Sequence, residues 1–101
     1  MNKYRNIPTI IDGVKFASRK EARRYQQLKL LERAGAISEL ELQPKYDLTI
    51  NGVKIGRYIG DFRYQDNGKS ICEDCKGILT PVYRLKKRLM RALHGVEILE
   101  T

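Results

Sequence analysis

The chain has 101 residues and 11.7 kDa, and its 20 lysines and arginines outnumber 12 acids for a formal charge of +8 and a pI near 9.7. That length suits one domain over 1–101, and 42% hydrophobic residues can build a modest core. No apolar run approaches the roughly 18 residues of a membrane span, the N-terminus has no apolar signal core, and two cysteines are too few for a disulfide scaffold; the expectation is a soluble, cytoplasmic protein without membrane attachment or small-molecule cofactor.

Residues 1–6 read as a basic arm. Thr9 to Ile11 and Val14 to Phe16 flank Asp12-Gly13, a dipeptide suited to a type I′ turn, and so predict an N-terminal hairpin. A helix follows, capped by the Ser18-x-x-Glu21 box and stopped at Gly35. Ala22, Tyr25, Leu28 and Leu31 form its expected buried stripe, while Arg19, Lys20, Arg23 and Arg24 crowd its first turns.

The middle reads as β-rich. Ile37 to Gln43 alternates up to Pro44, and Asn51-Gly52 joins two further strands. The second of these is expected to run on through Tyr58 to Tyr64, turn at Asn67-Gly68, and return as Ser70 to Lys76. A second helix starts at Thr80-Pro81 and ends near His94-Gly95, with Val82, Leu85, Leu89, Ala92 and Leu93 inward and Arg84, Lys87, Arg88 and Arg91 as a basic stripe. Val96 to Leu99 closes the chain as a short strand. The fold class is α/β, with a mixed α+β sheet.

The charge is unevenly spread: +6 over 1–34, −1 over 35–80 and +3 over 81–101. Basic flanks around a carboxylate-rich middle suit a polyanion, whose binding is driven by counterion release. Lys3, Arg5, Arg19, Lys20, Arg23, Arg84, Lys87, Arg88 and Arg91 are the candidate nucleic-acid contacts.

A two-residue turn at Asn67-Gly68 sets Asp61 opposite Asp74, in a non-hydrogen-bonded pair whose Cβ atoms approach to about 4.5–5.5 Å. Two such carboxylates oppose folding unless a cation lies between them. Lys76 is two residues beyond Asp74 and so points to the same face. A divalent cation held by two acids beside an ammonium is suited to phosphodiester hydrolysis. A bulge near Gln65-Asp66 would shift the register and send Asp74 to the other face. Cys72 and Cys75, an odd step apart on a strand, face opposite ways and suit neither a disulfide nor a shared zinc. His94 is expected to complement the helix dipole.

Gly60-Asp61-Phe62-Arg63-Tyr64 and Glu73-Asp74-Cys75-Lys76-Gly77 resemble the second and third motifs of the PD-(D/E)XK nuclease superfamily, and Phe16 to Ala22 resembles its helix-borne glutamate motif. Over about residues 4–100, with Leu42-Gln43-Pro44 part of the likeness, the chain is similar to small phage-encoded members of that superfamily. Gly60 stands where the motif usually has proline. The resemblance implies a restriction-endonuclease-like α-β-β-β-α-β core after the N-terminal hairpin. It implies Mg²⁺, with Mn²⁺ able to substitute, on Asp61, Asp74, Glu21 and the Cys75 carbonyl, and Lys76 as the catalytic lysine. Glu21 is readable either way, as a catalytic acid or as a capping partner only, and Gln43 as a phosphate or water contact or as a surface amide. The expected function is a Mg²⁺-dependent DNA endonuclease selective for branched or junction DNA, like a Holliday junction resolvase in phage recombination. Two symmetric cuts would require a homodimer. The alternative is a non-catalytic nucleic-acid-binding module on the same fold.

Overall fold

The computed structural model describes residues 8–75 and 79–101. Strands β1 (Thr9–Ile11) and β2 (Val14–Phe16) form the N-terminal hairpin. Asp12 and Gly13 both have positive φ, 51° and 77°, as a type I′ turn demands. Helix α1 (Arg19–Arg33) begins where extended Ser18 accepts the Glu21 amide at 3.2 Å, and the chain leaves it through Ala34 and Gly35. Ala22, Tyr25 and Leu28 are buried, but Leu31 is 39% exposed. The last turn instead aims Glu32 at the Leu40 amide, 2.9 Å away, and a neighbour about 100° round the helix then faces water.

β3 (Ser38–Leu42) is followed by a long hairpin of β4 (Lys45–Ile50) and β5 (Val53–Ile59), then by β6 (Phe62–Asp66) and β7 (Lys69–Asp74). The strand expected to run unbroken through Tyr58 to Tyr64 is divided at Gly60-Asp61. There the chain leaves the two-stranded β4–β5 sheet and enters a four-stranded sheet ordered β3-β6-β7-β8. Three bonds fix the crossing: the Gly60 amide to the Pro44 carbonyl, Asp61 to Glu73 and Gln43 to Asp61, each 2.9–3.0 Å. A Cβ at position 60 would lie 2.6 Å from Cys72 Sγ, so any other residue would force that thiol to shift.

Helix α2 (Pro81–His94) takes Thr80 as its cap, ends at left-handed Gly95, and returns the chain to β8 (Ile98–Glu100), parallel to β7. Its inward face differs from the one expected. Tyr83 and Met90 are buried, with Leu89 packed beside them, whereas Val82 and Leu85 are 62% and 55% exposed and Ala92 and Leu93 also face water. Glu100 accepts from Tyr83 Oη at 2.8 Å and from Lys87 Nζ at 3.1 Å, which turns the helix towards β8 by its tyrosine and lysine edge.

Two buried clusters lie on opposite faces of the four-stranded sheet. Phe62 and Tyr64 pack with Phe16, Tyr25 and Leu28 under α1. Cys72 and Ile98 pack with Tyr46, Leu48, Tyr58, Tyr83 and Met90 beneath α2 and the β4–β5 hairpin. The result is a mixed α/β arrangement with the sheet between two helical layers. No helix among the described residues is long and apolar enough to cross a membrane.

Candidate functional site

The β6–β7 ladder has the register read from Asn67-Gly68, running from Asp66 opposite Lys69 to Phe62 opposite Glu73. No bulge disturbs Gln65-Asp66. One step further the ladder changes: the Asp61 amide donates to the carbonyl of Glu73, the residue already facing Phe62. Two residues therefore lean on one, as in a β-bulge. Asp61 and Asp74 are not the ladder pair the turn arithmetic anticipated.

Their carboxyls nevertheless meet, because the irregularity re-aims Asp61 at the end of the sheet. Asp61 Oδ2 accepts the Cys75 amide at 2.6 Å, and the same carboxyl interacts with both Glu21 and Asp74. Burial pushes the Asp61 pKa up to about 6; the Cys75 amide pulls it down, and hydrogen bonding and charge from Glu21 push it up again. Asp74 is buried on the α2 side of β7, where its Oδ2 accepts the Tyr58 hydroxyl at 2.5 Å. Burial, and then the bond to Asp74, raise the Tyr58 pKa, which keeps that hydroxyl a donor. Glu21 comes from the first turn of α1. Ser18 takes the Glu21 amide, but the Glu21 carboxyl is directed at Asp61 and does not return to the cap.

Gln43 is exposed just past the end of β3, held in a left-handed conformation (φ 48°) by its amide bond to the Asp61 carbonyl. It borders the acids through its backbone. Lys76, Lys3 and Arg5 lie outside the described residues. Cys72 and Cys75 are free thiols; Cys72 is buried among the α2-side core, and Cys75 Sγ lies 3.2 Å from Thr101 Oγ1. Beyond closing α2, His94 Nε2 lies 2.8 Å from the Asp47 carbonyl, fastening the helix to β4.

An ion pair next to the site escaped the sequence reading. Glu73 is fully buried, and Arg24 grips it with both prongs, Nε to Oε1 at 2.7 Å and Nη2 to Oε2 at 2.6 Å. Tyr64 Oη donates to the same Oε2. These bonds raise the Arg24 pKa. The signal was available: Arg24 stands four residues before buried Leu28, and Glu73 shares its strand face with Ile71.

The basic residues occupy two layers. Arg19, Lys20 and Arg23 are exposed on α1, with no acidic partner among the described residues. On α2, Lys87 pairs with Glu100 at 3.1 Å and Arg91 approaches Glu97 at 3.6 Å, which leaves Arg84 and Arg88 as the stripe's unpaired charges among the described residues. The acids missing along the helix are thus supplied by the returning strand.

Two aspartates and a glutamate offer hard oxygen donors, the chemistry Mg²⁺ prefers. Among the described residues no three His, Cys, Asp or Glu side chains are arranged as a ready metal cluster. A small ion that uses one or two carboxylates and fills its remaining positions with water and phosphate does not need one. The Asp61 pKa is raised chiefly by burial, and Glu21 adds to the rise.

A family model described as "Protein of unknown function (DUF1064)" matches residues 1–97, and the chain belongs to that family. No curated protein matches it.

Proposed function

We propose that this DUF1064-family chain is a Mg²⁺-dependent endonuclease that hydrolyses DNA phosphodiesters, on a core of the restriction-endonuclease-like kind. In support, β3, β6 and β7 form an antiparallel meander between α1 and α2, and β8 returns parallel to β7. The observation that carries the reading is the convergence of Glu21, Asp61 and Asp74 from three different elements on one spot beside the Cys75 amide.

In this reading Asp61 and Asp74 hold the cation, and Glu21 orients the attacking water or the ion's water shell. Bound there, Mg²⁺ would offset phosphate charge and lower the pKa of a water. Tyr58 fixes one oxygen of Asp74 and the Cys75 amide fixes one of Asp61, which orients both acids. Lys76 is assigned the catalytic lysine role on the motif alone. A chain of this size has little surface for reading bases, so shape governs its choice of DNA, and branched or junction substrates are favoured.

Purified protein incubated with branched, nicked and linear DNA in Mg²⁺ tests this. Cleavage should occur in the wild type and vanish in Asp74→Ala and Lys76→Ala; cleavage that survives both rejects the assignment. One observation favours a second reading, a non-catalytic DNA-binding module: no three-ligand cluster is formed among the described residues. That reading expects salt-sensitive DNA binding and no metal-dependent cutting by the wild type.

A further inference from the structure

Beside the acids, on the α1 side of the sheet, lies a pocket of about 220 Å³ lined by Lys20, Arg23, Arg24, Gln27, Cys75 and Thr101. Its α1 residues follow i, i+3, i+4, i+7 spacing and make one helical stripe. Its floor is the end of β7, where the Thr101 amide donates to the Asp74 carbonyl and Cys75 Sγ meets Thr101 Oγ1.

The α1 wall of this pocket is made of donor side chains, Lys20, Arg23, Arg24 and Gln27. Lys20 and Arg23 have no ion-pair partner among the described residues. Gln27 Oε1 already accepts from Arg24 Nη1 at 3.1 Å, which leaves the Gln27 amide nitrogen as the part of that side chain still free to bond. Glu73, on this face of the sheet, is fully buried and satisfied by Arg24 and Tyr64. The cavity therefore presents cations and donors next to a carboxylate cluster, joined to it by Cys75, whose amide binds Asp61.

We propose that this pocket is an anion subsite that takes a backbone phosphate of the nucleic acid, a neighbour of the phosphodiester presented to Glu21, Asp61 and Asp74. The assignment rests on the nuclease reading for the identity of its ligand. Its chemistry, a tetrahedral oxyanion held by Lys20 and Arg23, stands on the pocket itself. Arg24 contributes as a positioning residue, since its guanidinium is committed to Glu73.

The test uses the Lys20→Ala/Arg23→Ala double variant. Both residues are exposed, and alanine favours a helix, so α1 is preserved. Lys69→Ala, at the far end of β7 from Cys75, serves as the charge control. Two readouts are taken: the salt dependence of binding to a fluorescent DNA duplex, and the thermal shift produced by inorganic phosphate. One phosphate contact contributes about 0.9 to the slope of log K against log salt, which is roughly 5-fold in affinity at 0.15 M. The double variant should lose that slope and affinity relative to Lys69→Ala, and phosphate should raise Tm in the wild type and the control but not in the double variant. If the double variant matches Lys69→Ala in both readouts, the subsite is wrong, even if Mg²⁺-dependent cleavage by the wild type upholds the nuclease reading. If the wild type never cleaves DNA, yet phosphate stabilises it and not the double variant, the nuclease reading fails while the anion site stands.

Discussion

Asp61→Asn should make the protein more stable, because the site strains the fold that carries it. The folded carboxyl has its pKa raised from 3.8 to about 6, chiefly by burial. An acid whose pKa is raised on folding favours the folded state while protonated, so this stability is fully present below about pH 3.8 and lost as pH rises through about 6. At full weight a shift of that size corresponds to roughly 3 kcal/mol. Asp61 is only partly buried, and solvent screening reduces the figure to about 2 kcal/mol. Asparagine keeps an oxygen for the Cys75 amide and replaces a buried charge with a neutral donor towards Glu21. Thermal denaturation in a metal-free buffer should show Asp61→Asn melting about 8 °C or more above the wild type at pH 7.5, with the difference closing towards pH 4. An unchanged or lowered Tm at pH 7.5, or a gap that does not depend on pH, would show that the Asp61 charge is not penalised by burial as described.

Three further outcomes follow from contacts around the site. Gly60→Ala should destabilise by about 1–3 kcal/mol through overpacking against Cys72 Sγ, and Cys72→Ala in the same chain should restore part of that loss in urea titrations; no rescue would mean that the backbone bond to Pro44, not the thiol, decides the position. Arg24→Ala leaves Glu73 buried with only Tyr64 for company and should cost about 3 kcal/mol, whereas Glu73→Gln with Arg24 intact should cost less; equal losses would argue that the pair acts through packing alone. Tyr58→Phe removes the donor to Asp74 Oδ2. It should weaken Mn²⁺ binding about 10–100-fold, the usual effect of losing a partner that orients a ligand, and unchanged Mn²⁺ affinity would remove Tyr58 from the site.

What the sequence made legible is whatever local chemistry dictates. Asp12-Gly13 and Asn67-Gly68 specify their turns through two consecutive positive φ values, and the second sets the β6–β7 register. Ser18, Thr80 and Gly95 mark helix ends by satisfying backbone groups that a helix leaves bare. Three features resisted, each for a tertiary reason. The bulge at Asp61 arises because the chain must pass from one sheet to another over a spot with little room for a side chain; Gly60 marks that spot, but its sequence neighbours do not show which sheet the chain enters next. The inward face of α2 differs from its aliphatic stripe because Tyr83 and Lys87 bury their stems and reach Glu100 with their polar tips. The Arg24–Glu73 pair joins residues 49 apart in sequence: the spacing puts each on an inward face, but only the packing of α1 on the sheet matches them as partners. The meeting of Glu21, Asp61 and Asp74 was approachable from the motif order, though the route by which Asp61 reaches Asp74 was not.

Titration of purified protein with Mn²⁺ at pH 7.5, followed through the paramagnetic resonance of the free ion, bears most directly on the carboxylate site. The wild type should withdraw Mn²⁺ from solution, and Asp61→Asn/Asp74→Asn should leave the free-ion signal as it is in buffer. Indistinguishable curves for the two proteins would mean that these acids hold no cation.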